Sequence, residues 1–275
     1  MMLVKKMLVF FACLVLLGCG DEWVGGGVGK TTCVFTDLLP SAHRPLKIAV
    51  GNSGGTLYIL DDFYSVHHYK RDNLYDCAFA LEKSYSFTGF PEDVLFAGNG
   101  FYVQDKAQLK FMDDKETCYA VTGIFSLFGN ELAVGSNTGI QTWDIPSCGR
   151  RERISSTGVL ALALDNGKYY AVEGNAPQNL AVYSKSGLVS REPLSVNKGN
   201  EKNFCSADRI AVNSYGIYLL DKKCKRIGVF DSQAYWRKTI SLDSLGIISP
   251  QDIAAGEYSY IFILHGNGLE KINVF

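Results

Sequence analysis

The chain has 275 residues, of which 47% are hydrophobic, and it carries a formal net charge of −1. Its 15 tyrosines and 16 phenylalanines can fill a packed core, which excludes a disordered chain. The near-neutral charge gives no electrostatic case for nucleic-acid binding, which needs a basic patch.

The first segment has the features of an export leader. Lys5 and Lys6 precede an apolar run over 7–17, which is shorter than the roughly 20 residues of a membrane-spanning helix. The sequence LLGC at 16–19 follows, and it resembles the lipobox of bacterial lipoproteins. The resemblance implies a signal peptide over 1–18, cleavage before Cys19, diacylglycerol on the Cys19 sulfur and an acyl chain such as palmitate on its amine. The alternative is an ordinary secretory leader with an incidental cysteine.

The lipobox resemblance also bears on location. Two or three acyl chains hold a protein on a membrane durably, whereas one chain binds only marginally. Gly20 follows the cysteine, and in such lipoproteins an aspartate at that position favours retention at the inner membrane. We therefore expect a lipid-anchored protein of the cell envelope, at the outer membrane if the organism has one.

The sequence GGGVGKTT at 25–32 is similar to a nucleotide-binding phosphate loop but does not fit it. That motif is G-x-x-x-x-G-K-[ST], and the position of its first glycine is held here by Val24. No nucleotide partner is expected. We interpret residues 19–30 as a lipidated cysteine with a flexible, glycine-rich tether, followed by a domain over 31–275.

Six β-hairpin signals recur along this domain about every 40 residues. Aligning their second strands brings mainly aromatic residues into register: Tyr58, Tyr102, Ala133, Tyr170, Tyr218 and Phe262. A third strand follows each hairpin and tends to end in an aromatic residue, and a fourth strand is plausible after most of them. Four strands per repeat predict an all-β fold, a six-bladed β-propeller.

The sixth repeat ends at Phe275 after three strands, so its fourth strand has to come from elsewhere in the chain. The segment Thr31–Leu38 reads as a strand that has no blade of its own. We predict that this N-terminal strand completes the last blade and closes the ring, which removes the exposed sheet edges of an open array.

The sequence IYLLDKKCKRIGVFDSQ at 217–233 resembles an NHL repeat, and residues 90–105 and 249–264 resemble it more loosely. The resemblance implies an NHL-like six-bladed propeller. It implies no single activity, because propellers serve as binding scaffolds, lyases, lactonases and dehydrogenases.

Six of the eight cysteines remain after Cys13 leaves with the leader and Cys19 takes the lipid. An even number in an oxidising compartment suggests up to three disulfides, and the absence of C-x-x-C pairs argues against zinc bound by cysteines. With propeller geometry, Cys205 and Cys224 fall on one face of blade 5. Cys33–Cys77 and Cys118–Cys148 would link neighbouring blades at the rim.

Metal-assisted chemistry is one of two functional hypotheses. Gluconolactonase-like propellers hold a divalent cation in the central channel, and Asp93, Asp208 and Asp252 recur where first strands begin. They could bind calcium as part of a hydrolase or lyase. The alternative is that each accepts hydrogen bonds from backbone amides. The sequence indicates no nucleophile, and the adjacent His67 and His68 point to opposite faces of a strand.

The other hypothesis, which we favour, is a non-catalytic scaffold that presents one face and its channel to a protein, peptide or glycan. Five aromatic residues are candidates to contribute to such a surface: Tyr64, Tyr69, Trp143, Trp236 and Tyr258.

Overall fold

The computed structural model describes residues 22–24, 28–35, 43–51, 54–71, 77–98, 100–112, 116–119, 122–174, 177–194, 204–256, 258–266 and 268–274, with the backbone alone at 22–24 and 116–119. The predicted signal peptide, Cys19 and Phe275 lie outside these residues. Within them the regular structure is all strand, and there is no helix long and apolar enough to cross a bilayer.

The strands form six sheets, one for each blade. The N-terminal strands are β1 (Glu22–Val24), β2 (Val28–Thr32) and β3 (Val34–Phe35). Blade 1 contains β4 (Pro45–Val50), β5 (Thr56–Asp61), β6 (Ser65–Lys70) and β7 (Ala78–Ser86). Blade 2 contains β8 (Asp93–Ala97), β9 (Gly100–Asp105), β10 (Gln108–Phe111) and β11 (Glu116–Tyr119). Blade 3 contains β12 (Ile124–Phe128), β13 (Glu131–Ser136), β14 (Gly139–Asp144) and β15 (Gly149–Ile154).

The remaining blades follow the same order. Blade 4 contains β16 (Val159–Asp165), β17 (Lys168–Glu173), β18 (Asn179–Ser184) and β19 (Gly187–Pro193). Blade 5 contains β20 (Arg209–Asn213), β21 (Gly216–Asp221), β22 (Arg226–Phe230) and β23 (Trp236–Ser241). Blade 6 contains β24 (Pro250–Ala255), β25 (Tyr260–His265) and β26 (Gly268–Asn273). The predicted six-bladed, all-β propeller is confirmed.

The predicted alignment of the second strands holds residue by residue. Each aligned position pairs with an interior residue of its own blade's first strand, at Ala49, Leu95, Ser126, Ala163, Ala211 and Ala254. The second strands are almost wholly buried because neighbouring blades cover both of their faces. The fourth strands are far more exposed, since they lie at the rim. This explains why the second strands read as continuous apolar runs.

The hydrophobic core of the described residues is a ring of six clusters, one at each junction between neighbouring blades. The junction of blades 1 and 2, for example, packs Tyr58 and Leu60 against Phe101 and Val103. Stability therefore depends on every junction, including the one where the two ends of the chain meet.

The ring closes as predicted, by an N-terminal strand that completes blade 6. β2 pairs antiparallel with β26 and begins at Val28, earlier than the predicted start, and β1 pairs with β2 as a fifth strand. Part of the segment interpreted as a tether over 19–30 is therefore strand. The physical reason is that the open edge of β26 offers backbone hydrogen bonds, which glycine-rich residues accept as readily as others.

Polar contacts hold the closing strand as well. Lys30 Nζ donates to the carbonyl of Leu245 at 2.8 Å and lies 4.0 Å from the Glu270 carboxylate. Thr32 Oγ1 donates to the same carboxylate at 3.1 Å. The lysine and threonine of the apparent phosphate loop thus serve ring closure.

The predicted single strand over 31–38 is divided at Cys33, and its last three positions, 36–38, lie outside the described part of the chain. β2 belongs to blade 6, whereas β3 runs parallel to β7 on the outside of blade 1. The Cys33 amide donates to the carbonyl of Leu269 in blade 6, and the next amide, Val34, donates to the carbonyl of Cys77 in blade 1. The chain therefore crosses from the last blade to the first at this residue.

Two of the three proposed disulfides form. Cys33 and Cys77 are bonded with their Cα atoms 4.5 Å apart, and Cys205 and Cys224 with theirs 5.7 Å apart. Cys148 is also disulfide-bonded. The side chain of Cys118 lies outside the described part of the chain, so the pairing of Cys118 with Cys148 stays a prediction.

Candidate functional site

The first strand of every blade faces a central channel, and the channel opens into a wide mouth at the end where those strands finish. The cavity at this mouth is about 720 Å³, and turn or strand-end residues from all six blades line it. A narrower section of about 210 Å³ lies deeper, between the strands themselves. The wide mouth has the size of a small-ligand or side-chain pocket.

Aromatic side chains surround the wide mouth. Phe96 and Phe128 lie near the ends of β8 and β12, and Tyr215 and Tyr258 lie in the turns that follow β20 and β24. Phe128, Tyr215 and Tyr258 are 45%, 49% and 61% exposed. They are exposed because the hairpin turns project past the cluster that buries the rest of each blade. Rigid, exposed aromatic groups of this kind are enriched at binding surfaces.

Asn213 fixes two of the turns at the mouth. Its Oδ1 atom accepts hydrogen bonds from the backbone amides of Tyr215 and Gly216, at 2.9 and 3.2 Å. Its Nδ2 atom donates to the carbonyls of Gly256 and Tyr258 in the next blade, at 3.0 and 2.9 Å. One amide side chain therefore sets the relative positions of Tyr215 and Tyr258.

Among the described residues that line the mouth, Asp165 is the single carboxylate. Burial raises its pKa, and the charge of nearby Lys168 only partly offsets this effect. The described part of the mouth thus combines aromatic faces with one acidic group, an arrangement suited to partners that carry apolar or cationic groups.

The deeper section of the channel contains the three predicted metal ligands, Asp93, Asp208 and Asp252. The structure brings them to one cavity but pairs each with a cation. Lys47 Nζ lies 3.0 Å from Asp93, Arg209 Nε 3.3 Å from Asp252, and Lys222 Nζ 3.7 Å from Asp208. Within the described residues the three do not form a group with the spacing of metal ligands.

Asp252 also bonds the neighbouring blade through a backbone amide. Its Oδ2 atom accepts a hydrogen bond from the Ile48 amide at 3.0 Å, as the alternative interpretation expected. Burial raises the pKa of Asp252, while Lys47 and Arg209 act in the opposite direction. Burial likewise lowers the pKa of Lys222, and the neighbouring Arg209 lowers it further. This section is a balanced network of charges that joins blades.

Most aromatic residues singled out from the sequence belong to the core or the rim. Tyr69 and Trp143 are buried in blade junctions, Trp236 packs on another, and Tyr64 contacts Phe90 edge to face. Only Tyr258 lines the mouth. Sequence reasoning missed the other three aromatic residues of the mouth, Phe96, Phe128 and Tyr215. A signal existed, because all three lie in or beside the glycine-containing turns of the hairpin repeats.

Two of the four histidines, His68 and His265, contact side chains of their own blades. His68 stacks on Tyr58 with ring centroids 4.7 Å apart, and burial lowers its pKa. His265 Nε2 lies 3.7 Å from the Glu270 carboxylate. His43 and His67, which are far apart in sequence, converge on one aspartate and are treated below.

The fold and the mouth define a β-propeller with a cavity at one end of its central channel, and the solved structures that resemble this chain have the same fold. No family model and no curated protein matches the sequence. The chain is similar to the RRP9 WD40 repeats (TM-score 0.57, 9% identity, 90% of this chain and 100% of the other) and to U3-55K (0.56, 9%, 89% and 98%). It also resembles Kuenenia stuttgartiensis hydrazine synthase (0.54, 11%, 87% and 98%). Similarity at this identity shows the propeller fold alone.

Proposed function

We propose that this chain is an exported lipoprotein, anchored to a membrane through Cys19, whose NHL-like propeller binds a protein, peptide or glycan at the wide mouth of its channel. The observation that carries the proposal is the aromatic mouth itself, with three exposed rings on three different blades around one cavity. The WD40 structures that this chain resembles are members of a class of interaction scaffolds, which is consistent with a protein partner.

The charge network in the deeper channel supports binding over metal-dependent catalysis. A calcium ion would have to displace Lys47, Arg209 and Lys222 from the carboxylates that could hold it. Exposed aromatic groups, in contrast, need no such rearrangement to bind a partner. We therefore place the function at the mouth and give the deeper channel a structural role.

Anchoring is tested with the two leader cysteines. Cys19→Ala is expected to abolish labelling with a palmitate analogue and to move the protein out of the membrane fraction, since the acceptor sulfur is lost. Cys13→Ala is the matched control, because it also removes a leader cysteine but should leave labelling and fractionation unchanged. A Cys19→Ala protein that is still labelled would contradict the lipoprotein assignment.

Binding at the mouth is tested with the double variant Phe128→Ala, Tyr258→Ala. The amount of partner that copurifies with the protein from its native membrane is expected to fall at least ~10-fold relative to the wild type. The reason is that aromatic anchors buried in an interface dominate its binding energy. Tyr235→Ala is the control: Tyr235 is 59% exposed, close to the 61% of Tyr258, and does not line the mouth. Equal loss in the control, or none in the double variant, would place the partner elsewhere.

A further inference from the structure

Two histidines and an aspartate converge at the end of blade 1 opposite the wide mouth. Asp61 ends β5, His67 lies in β6, and His43 lies just before β4. Their ligand atoms, His43 Nδ1, Asp61 Oδ2 and His67 Nε2, all lie within 4.8 Å of one another. Two imidazole nitrogens and a carboxylate oxygen are donors that zinc and similar divalent ions take.

The two oxygens of Asp61 have separate tasks. Oδ1 accepts hydrogen bonds from the backbone amides of Phe63 and Ser65, both at 2.9 Å, and so forms the turn between β5 and β6. Oδ2 contacts His43 Nδ1 and lies 2.8 Å from His67 Nε2. The turn therefore leaves Oδ2 free for the two imidazoles, and the carboxylate is fixed in position by the backbone.

Other blades place an acid at the same position but neutralise it differently. In blade 2 the ammonium group of Lys110 lies 3.0 Å from Asp105, and in blade 4 the guanidinium group of Arg191 lies 2.8 Å from Glu173. The charged ammonium and guanidinium groups offer no lone pair to a metal, whereas a neutral imidazole offers one. Blade 1 has two imidazoles at its acid, which is more than the turn or the charge requires.

The imidazoles are held from behind, as metal-binding histidines are. His67 Nδ1 lies 2.9 Å from Ser84 Oγ, the type of outer contact that orients a ligating ring. His43 stacks on Phe63 with ring centroids 4.2 Å apart. Asp61 and His67 are buried, whereas His43 is partly exposed and stands between the site and solvent.

We propose that His43, Asp61 and His67 form a binding site for a divalent transition metal ion, zinc by preference. The ion would lie about 2 Å from each of the three ligand atoms. The two imidazole nitrogens now contact Asp61 Oδ2 at hydrogen-bond distance, so they would move apart from it to admit the ion. The hydrogen on His67 would then reside on Nδ1 and be donated to Ser84 Oγ. Three protein ligands leave a fourth position open to water. The ion would fix residue 43, where the chain enters blade 1, to the turn after β5. This proposal does not depend on the proposed function.

Zinc titration of the full chain in detergent tests the site. Isothermal calorimetry is expected to give one zinc ion per wild-type chain, and cobalt is expected to give the visible absorption of a low-coordinate nitrogen and oxygen site. His43→Gln should weaken zinc binding at least ~10-fold and remove the cobalt spectrum. Glutamine keeps a hydrogen-bond donor toward Asp61, so the variant should retain its thermal midpoint in the presence of EDTA.

His68→Gln is the matched control, since His68 is the neighbour of His67 but packs on Tyr58 instead. It should bind zinc as the wild type does. The proposal is overturned if the wild-type chain binds no zinc and gives no cobalt spectrum, or if His43→Gln binds zinc as tightly as the wild type. Either result would make the cluster a set of hydrogen bonds that supports the turn.

Discussion

Replacing both Cys33 and Cys77 with serine is expected to lower the free energy of unfolding by about 4 kcal/mol. The two residues are 44 positions apart, and a cross-link over a loop of that length removes considerable entropy from the unfolded chain. The bond also joins the two ends of the ring, because Cys33 follows the closing strand of blade 6 and Cys77 precedes the outer strand of blade 1. Urea unfolding followed by fluorescence measures the change.

The Cys205–Cys224 disulfide provides the control. It closes a 19-residue loop inside blade 5, so its removal should cost about 3 kcal/mol and leave the junction of blades 6 and 1 intact. Hydrogen exchange separates the two variants further. Loss of the ring-closing bond should raise exchange selectively in β2 and β26. If the two double variants exchange alike in those strands, Cys33–Cys77 is no clamp on the closure.

Asp61→Ala is expected to destabilise the protein by about 3 kcal/mol or more, measured in EDTA so that no metal contributes. The side chain is fully buried and accepts hydrogen bonds from two backbone amides and two imidazoles. Its removal leaves those donors without an acceptor in a buried place, which is the costly way to lose a hydrogen bond.

Asp231→Ala is a closely matched control for this change. Asp231 also accepts hydrogen bonds from the amides two and four residues later, Gln233 and Tyr235, at 3.0 and 2.9 Å. Both turns place a non-glycine residue, Tyr64 or Ala234, in the left-handed region three positions after the aspartate. Asp231 pairs with an exposed arginine at the surface, so its removal should cost only about 1 kcal/mol. An equal loss of unfolding free energy in Asp61→Ala and Asp231→Ala would show that neither burial nor the two imidazoles strengthens the contribution of Asp61 to stability.

Asp61 should also dominate the acid sensitivity of blade 1. Burial alone would raise the pKa of Asp61, but hydrogen bonds from His67, the Ser65 amide and His43 outweigh burial and lower the pKa to about 2. A lowered pKa adds about 2 kcal/mol of stability above the unfolded value near 4, and this contribution is lost as pH falls toward 2. The free energy of unfolding, measured at several pH values between about 2 and 4, should therefore change less with pH for Asp61→Ala than for the wild type.

The architecture was predictable because a propeller repeats a short, local pattern. The aligned positions from Tyr58 to Phe262 mark the same point of each blade, and each hairpin forms from neighbouring residues. Two cysteine pairs followed from this geometry once blades were assigned. The outer strands are largely exposed and therefore give weaker sequence signals than the buried second strands.

The sites were harder to predict because they depend on contacts between distant segments. His43 and His67 lie on different strands or loops of blade 1, and nothing in their spacing indicates a shared carboxylate. The channel aspartates were located, but their cationic partners Lys47 and Arg209 come from other blades. Ring closure at Val28 was obscured for another reason: strand pairing at a sheet edge depends on backbone groups, and a glycine-rich sequence gives no side-chain signal for it.

The division of the chain at Cys33 has a consequence for the order of events during synthesis. β2 emerges from the ribosome before every blade, but it cannot join blade 6 until β26, some 240 residues later, has followed it. The partner of Cys33 emerges much sooner, with the outer strand of blade 1. In an oxidising compartment, an early bond between the two cysteines can therefore hold β2 beside blade 1, next to the position that blade 6 takes when it folds.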